Sequence, residues 1–237
     1  MCAPSPVHIR IYRDEGVSPQ SYRELLFSLR PFKYALFPID HRQLIEEAWE
    51  EKTALLIFPG GRDIPYHQRL QGEGNRRIAH YVSRGGYYLG ICAGAYFGSA
   101  WIEFEKGREL EVCASRELAF FPGRAVGPAY GLGRFCYHSE RGAQNASVTW
   151  EKGSAHVYYN GGCQFEVPED YPNTKVVVRY SDLPNSPAAA VSCRVEKGRA
   201  LLCGVHPEYR IEESLEPSRR ALWHYILKGL GLKEKSI

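Results

Sequence analysis

The stretch that decides the fold is Tyr87-Tyr88-Leu89-Gly90-Ile91-Cys92-Ala93-Gly94-Ala95-Tyr96. An apolar run ends here in Gly-x-Cys-x-Gly and passes into small residues, a pattern that predicts a strand, an abrupt turn and a helix. Gly90 and Gly94 lack the Cβ atoms that would clash where the strand and the helix approach each other. We therefore expect the thiol of Cys92 at the carboxyl end of a sheet, beside the free N–H groups of a helix N-terminus.

A second motif lies near the other end of the chain, where the apolar run Arg199-Ala200-Leu201-Leu202-Cys203-Gly204-Val205 leads into His206-Pro207-Glu208. Pro207 cannot donate to a sheet ladder, so the strand is expected to stop at this point. Positions i and i+2 of an extended chain point the same way, so the carboxylate of Glu208 can orient the imidazole of His206. Alone, each motif would also fit a buried cysteine or a surface turn. Together they predict a nucleophile, a base and an orienting acid in Cys92, His206 and Glu208.

Strand and helix patterns alternate along the first half of the chain. Strands are predicted over residues 7–12, 34–39, 54–58 and directly before Cys92. Helices are predicted between them, the second capped by Asp40 and the third capped by Asn75 after a polar loop. This order predicts an α/β fold with a doubly wound, flavodoxin-like, mostly parallel sheet flanked by helices.

The second half of the chain has a different pattern. Short aromatic and β-branched runs, separated by Gly, Pro, Asn and Asp, occur at residues 101–104, 147–150, 157–159, 176–180 and 188–195. They predict extra antiparallel strands that extend or flank the main sheet. A closing helix is expected to open at Glu216-Pro217-Ser218. No linker or repeat interrupts the chain, so we expect residues 1–237 to form a single domain.

Composition narrows the classes of partner and location. Thirty Lys and Arg residues against 27 Asp and Glu residues leave a net charge of +3, which favours neither nucleic acid nor a membrane surface. No apolar run reaches the roughly 18 residues of a membrane span, and no signal peptide is visible, so a cytoplasmic location is expected. The seven cysteines lack CxxC spacing, which favours reduced thiols. Cys136, His138 and His156 are better explained as structural groups than as metal ligands, so neither metal nor cofactor is expected.

The two motifs resemble those of class I glutamine amidotransferase domains. Ile57-Phe58-Pro59-Gly60-Gly61 resembles the glycine loop that gives a backbone N–H to the oxyanion hole in that superfamily. More narrowly, four stretches resemble the amidotransferase-like domain at the N-terminus of eukaryotic biotin-protein ligases and its stand-alone relatives: 59–66, 74–75, 90–97 and 159–162. The chain has no Gly-Arg-Gly-Arg-x-Gly-Arg run, so biotin transfer by this chain alone is not expected.

This resemblance implies acyl transfer by a cysteine nucleophile. His206 would take the proton of Cys92, and the thiolate would attack a carboxamide carbonyl to form a thioester that water resolves. Backbone N–H groups from Gly60, Gly61 and Ala93 are expected to stabilise the tetrahedral oxyanion.

The substrate pocket is expected to differ from that of an ordinary glutaminase. Amidotransferases carry Gln two positions after the second glycine of the elbow, and this chain has Tyr96 there. Arg62, Asp63, Tyr66, Tyr96 and Asn160 are the candidates for binding a carboxylate or amide group. Asp63 is equally well explained as a brace of its loop, and the two tyrosines as packing aromatics.

Three functions are open at this point. The first is a cysteine amidohydrolase or glutaminase-type domain that feeds a protein partner, either a synthase or a ligase. The second is a γ-glutamyl-type peptidase. The small-molecule substrate would be an amide for the first function and a γ-glutamyl compound for the second. The third is a non-catalytic binding or regulatory module associated with biotin-protein ligase function.

Overall fold

The first half of the chain builds the parallel centre of a mixed sheet. The computed structural model describes residues 7–137 and 139–234. The strands of this half are β1 (His8–Tyr12), β2 (Ala35–Ile39), β3 (Thr53–Phe58) and β4 (Tyr87–Ile91), and its helices are α1 (Pro19–Ser28), α2 (His41–Glu46), α3 (Asp63–Leu70), α4 (Glu73–Ser83) and α5 (Ala93–Phe97). The parallel order is β2-β1-β3-β4, with β13 (Gly198–Cys203) next to β4. This is the flavodoxin-like arrangement, so the predicted doubly wound fold is confirmed.

The second half of the chain extends this sheet with mostly antiparallel strands. They are β5 (Ser99–Phe104), β6 (Val112–Ser115), β7 (Phe121–Gly127), β8 (Gln144–Trp150), β9 (Gly153–Tyr159), β10 (Gln164–Phe165), β11 (Thr174–Tyr180) and β12 (Ala188–Val195), followed by helix α6 (Glu216–Gly229). From β13 the sheet continues through β12, β10, β7, β5 and β6, while β11 leads from β12 to the β8–β9 hairpin. The predicted antiparallel strands are confirmed. The structure also contains β6, β7 and β10, which the sequence analysis did not predict.

Strand β3 shows how the sheet separates two cores. Its residues are almost entirely apolar, as a parallel strand covered on both faces requires. Leu55 and Ile57 pack in the cluster that contains residues of α1 and α6. Leu56 and Phe58 point the other way, into the cluster that contains residues of α3 and α4. This alternation, with a period of two, places helices on both faces of the sheet.

The helix boundaries differ from the prediction in two places, both within residues 63–75. Asp40 caps α2 as expected, because its side chain accepts from the Gln43 N–H at 2.9 Å. Residues 63–70, predicted as loop, form α3. Asn75 does not cap the next helix, which already begins at Glu73. Its side-chain amide donates instead to Glu117 at 2.8 Å, a partner 42 positions away that local pattern cannot reveal.

Three strand ends meet at the carboxyl edge of the parallel sheet. Phe58 pairs with Gly90, and Cys203 pairs with Ile91, so the segments that follow β3, β4 and β13 emerge side by side. An ideal Cβ on Gly90 would lie 2.2 Å from the carbonyl oxygen of Gly94, which explains why the turn between β4 and α5 needs a glycine. Among the described residues, no helix has the length and apolar character needed to cross a membrane.

Candidate functional site

Cys92 occupies the sharp turn between β4 and α5. Its φ of 49° and ψ of −102° are a conformation that non-glycine residues rarely adopt. The turn is held by a hydrogen bond from the Cys92 N–H to the Cys203 carbonyl at 2.8 Å, which links it to β13. The side chain is 7% exposed and borders a cavity, and its thiol donates to the Asn160 carbonyl at 3.7 Å. The Cys92 side chain therefore borders the cavity, while it also belongs to the apolar cluster that contains Ile91.

His206 and Glu208 form a buried pair beside this thiol. His206 Nδ1 and Glu208 Oε1 are 2.8 Å apart, and the carboxylate has no exposed surface. The backbone N–H of His206 donates to the Tyr158 carbonyl at 2.9 Å, which fixes the segment after β13 against the end of β9. The structure thus brings together the three side chains that the sequence predicts as nucleophile, base and orienting acid.

The electrostatics of this pair favour a charged imidazole. Burial lowers the pKa of His206, but the Glu208 carboxylate and a hydrogen bond with the Cys92 side chain outweigh burial and raise the pKa of His206 to about 10. These two interactions therefore favour the protonated form of the ring next to the sulfur. The rings of Tyr158 and Tyr209 lie against the imidazole and limit its rotation.

Two backbone amides at the site have no acceptor among the described residues. The N–H groups of Gly61 and Ala93 donate to no acceptor within the described residues, and both residues border the cavity. Gly60 was predicted to contribute as well, and this prediction is wrong. Its N–H donates to the Ser21 hydroxyl at 3.0 Å and is not available to a ligand.

Ser21 is a site residue that the sequence did not reveal. It lies in α1 with no exposed surface, and its hydroxyl donates to Glu208 Oε1 at 3.2 Å while accepting the Gly60 N–H. The only local signal was its position three residues after Ser18, whose side chain caps its backbone N–H at 3.3 Å. That spacing indicates a helix start and gives no sign of a distant carboxylate.

Arg62 and Asp63 both border the cavity but differ in their partners. The Arg62 guanidinium lies 5.9 Å from the centre of the Tyr137 ring, and no carboxylate in the described part of the chain forms an ion pair with it. Asp63 is paired with Arg116 at 2.6 Å. Burial raises the pKa of Asp63, and the neighbouring guanidinium opposes that rise. Of the two, Arg62 is the side chain that is open to an anionic ligand.

The two tyrosine candidates have different positions. Tyr66 is completely buried and does not border the cavity, and its hydroxyl donates to the carbonyls of Pro59 and Gly60 at 3.2 and 3.4 Å. The prediction that Tyr66 contacts substrate is therefore wrong, because the side chain braces the glycine loop from behind. Tyr96 does border the cavity, where its hydroxyl donates to the Gly161 carbonyl at 3.1 Å.

Asn160 borders the cavity next to Cys92. Its backbone carbonyl accepts a hydrogen bond from the thiol, and its side-chain oxygen is buried without a hydrogen-bond partner among the described residues. Cys136 also borders the cavity, whereas His156 contacts the Ser147 hydroxyl at 3.2 Å on the β8–β9 hairpin, and His138 lies outside the described residues. In the described parts of the chain, no group of three or more His, Cys, Asp or Glu side chains is arranged to hold a metal ion.

The cavity above Cys92 is wide and has both aromatic and polar walls. Its volume is about 630 Å³, within the usual range for sites that bind drug-sized molecules. Aromatic side chains form one part of its wall: Phe104, Phe135, Tyr137, Tyr158 and Tyr209. Polar and charged side chains, among them Arg62, Glu140 and Asn160, form another part, an arrangement that suits a ligand with both polar and apolar parts.

Several known proteins are similar to this chain in sequence or in fold. The family described as "Biotin-protein ligase, N terminal" matches residues 7–235. An uncharacterized protein of Chlamydia muridarum is 45% identical over 208 residues, which cover 85% of this chain and 80% of that one. The biotin–protein ligase of Schizosaccharomyces pombe is 40% identical over 243 residues, which cover 96% of this chain and 38% of the ligase. The chain thus spans well under half of that ligase.

Among solved structures, a glutamine amidotransferase superposes with a TM-score of 0.62 at 20% identity, covering 94% of this chain and 98% of that one. This likeness establishes a shared fold. The match to the family extends over nearly the whole chain and includes the Cys92 turn, the glycine loop and the His206 segment. The chain therefore belongs to the family of biotin-protein ligase N-terminal domains.

Proposed function

We propose that this protein is a cysteine-dependent amidohydrolase whose triad is Cys92, His206 and Glu208. One observation carries the proposal: the thiol on a strained strand–helix turn lies next to a buried imidazole–carboxylate pair and to two backbone amides that have no acceptor in the part of the chain that the structure describes. A strained backbone at the nucleophile and a histidine whose pKa is shifted by a neighbouring charge are together typical of catalytic sites, and the strain is costly in a purely structural site.

In the proposed reaction His206 holds the proton of Cys92, and the thiolate attacks the carbonyl carbon of a carboxamide. The N–H groups of Gly61 and Ala93 stabilise the oxyanion that forms. The C–N bond then breaks as His206 protonates the leaving nitrogen, so that ammonia or an amine departs and a thioester remains. Water, deprotonated by His206, attacks the thioester and releases a carboxylic acid and the free thiol.

The preferred substrate is an amide larger than free glutamine, such as a γ-glutamyl conjugate. The cavity volume of about 630 Å³ supports this choice, because glutamine alone would leave most of it empty. Arg62 is placed to bind a carboxylate of the substrate. At the position where amidotransferases carry Gln, the hydroxyl of Tyr96 is engaged with Gly161.

A second candidate is a non-catalytic module that works with a biotin-protein ligase. It is favoured by the match to the ligase of Schizosaccharomyces pombe, in which the matching region is 38% of a longer chain. In this case the cavity would bind an amide-bearing ligand without turnover.

Two measurements on the purified chain separate these candidates. The first is alkylation by a chloroketone glutamine analogue with peptide mapping, in which Cys92 should react faster than free cysteine. Cys163 is the internal control, since it is fully buried and does not border the cavity. The second is ammonia or amine release from a panel of amides and γ-glutamyl compounds, which Cys92→Ala should abolish and Cys163→Ala should retain.

If Cys92 reacts no faster than free cysteine, its activation is refuted. Rapid labelling without release from any amide of the panel would favour the binding module over the enzyme.

A further inference from the structure

We propose that Ser21 is a positioning residue, whose single hydroxyl group fixes the position of the glycine loop with its Gly61 amide relative to Glu208 and the base His206. The inference rests on the proposed function, because it assigns a role within the same site. Ser21 is not a catalytic residue in this proposal, since it acts through Glu208 and the glycine loop.

The hydroxyl of Ser21 connects two segments that are distant in sequence. It donates to Glu208 Oε1 at 3.2 Å, across 187 positions, and accepts from the N–H of Gly60 at 3.0 Å, across 39 positions. Glu208 Oε1 is also the atom that contacts His206 Nδ1. The same hydroxyl thus joins the acid–base pair to the segment that carries the Gly61 amide.

Ser21 behaves unlike the other buried serine of the same helix. Ser28 donates its hydroxyl to the Leu25 carbonyl at 3.2 Å, one turn back, which is the usual bond of a serine inside a helix. Ser21 makes neither of its hydroxyl bonds within α1. Its backbone N–H is capped by Ser18, so its hydroxyl is not needed for the helix itself.

Glu208 depends on this contact for its orientation. Its other oxygen, Oε2, is buried and has no hydrogen-bond partner among the described residues. Without the Ser21 hydroxyl, His206 Nδ1 would be the remaining partner of the carboxylate, and the buried N–H of Gly60 would lose its acceptor. We expect the glycine loop and the carboxylate to shift relative to each other, which moves the Gly61 N–H away from the oxyanion.

The test compares two reactions of Cys92 in the full chain. Iodoacetamide alkylates a thiolate by direct displacement of iodide and forms no oxyanion. p-Nitrophenyl acetate acylates it: the thiolate attacks the ester carbonyl, the C–O bond breaks, p-nitrophenolate leaves and an acetyl thioester remains. The second reaction needs the oxyanion amides, so only this reaction should depend strongly on Ser21.

Ser21→Ala should slow the p-nitrophenolate burst by about tenfold or more and change iodoacetamide alkylation by less than about threefold. Ser28→Ala is the matched control and should change both rates by less than about threefold. Ser21→Thr keeps the hydroxyl and should restore the burst. Thermal unfolding of each variant shows whether it is folded.

The proposal is overturned if Ser21→Ala slows both reactions equally, if its burst matches that of Ser28→Ala, or if both Ser21 variants lose alkylation together with the fold. Failure of the proposed function would show in the wild-type chain itself, as a burst no faster than the acylation of free cysteine. In that case the positioning role of Ser21 is refuted together with the proposed function.

Discussion

The imidazole of His206 packs directly against Gly60, so closely that an ideal Cβ on the glycine would lie 2.5 Å from His206 Cε1. Gly60→Ala should therefore push the imidazole away from Cys92. We expect amide hydrolysis to fall by about 10- to 100-fold, with a loss of about 1–3 kcal/mol in the free energy of unfolding. Steady-state kinetics and urea denaturation measure the two effects.

Gly229→Ala is the control for that change. Gly229 ends α6, and an added Cβ there would meet no atom within 4 Å, so activity should stay at the wild-type level and stability should not fall. Equal activity of the two glycine variants would show that the base tolerates displacement, contrary to the proposed mechanism.

The raised pKa of His206 predicts a pH dependence of stability. Because its pKa is about 10 in the folded chain against 6.5 for the free side chain, folding favours the protonated ring. This contribution is complete below pH 6.5 and is lost as the pH rises toward 10. Urea denaturation of wild type and His206→Gln across this range should show the stability difference between them shrinking as pH rises. Parallel curves would contradict the charged state of the ring.

The Tyr96 hydroxyl supports the loop opposite Cys92. Tyr96→Phe removes the hydrogen bond that the Gly161 carbonyl accepts from the Tyr96 hydroxyl. We expect a loss of about 1–2 kcal/mol in the free energy of unfolding, together with a higher KM. Tyr225→Phe is the control, because its hydroxyl bond to Glu151 is exposed to solvent and should cost less than about 0.5 kcal/mol. Identical unfolding curves for the two variants would count against a structural role of the Tyr96 hydroxyl.

Arg62 should distinguish substrates that carry a carboxylate from those that do not. Arg62→Gln keeps polarity and removes the charge, so the KM of a carboxylate-bearing amide should rise by about tenfold while that of a neutral amide changes by less than about twofold. Arg69→Gln is the control from the same segment, since Arg69 pairs with Glu15 at the surface. A similar KM increase for both amides would remove Arg62 as the carboxylate contact.

Local patterns were sufficient for the parts of the fold that are built by neighbouring residues. The apolar run of β3 and the glycines around Cys92 follow from short-range rules, namely burial on both faces and the absence of room for a Cβ. The pairing of His206 with Glu208 also follows from their separation of two positions in an extended chain. Helix α3 was not predicted from the sequence. Its largely polar residues form a helix with a buried face only in the folded protein, where Tyr66 and Leu70 are buried.

The sequence by itself determined the α/β class, the mostly parallel doubly wound sheet, and the family to which the chain belongs. The tertiary structure alone decided which backbone amides stay unpaired, that Tyr66 braces the glycine loop, and that Ser21 links that loop to Glu208. The physical reason is distance along the chain: a hydrogen bond between residues 187 positions apart leaves no periodic mark in the sequence, and it exists only because several strands end side by side.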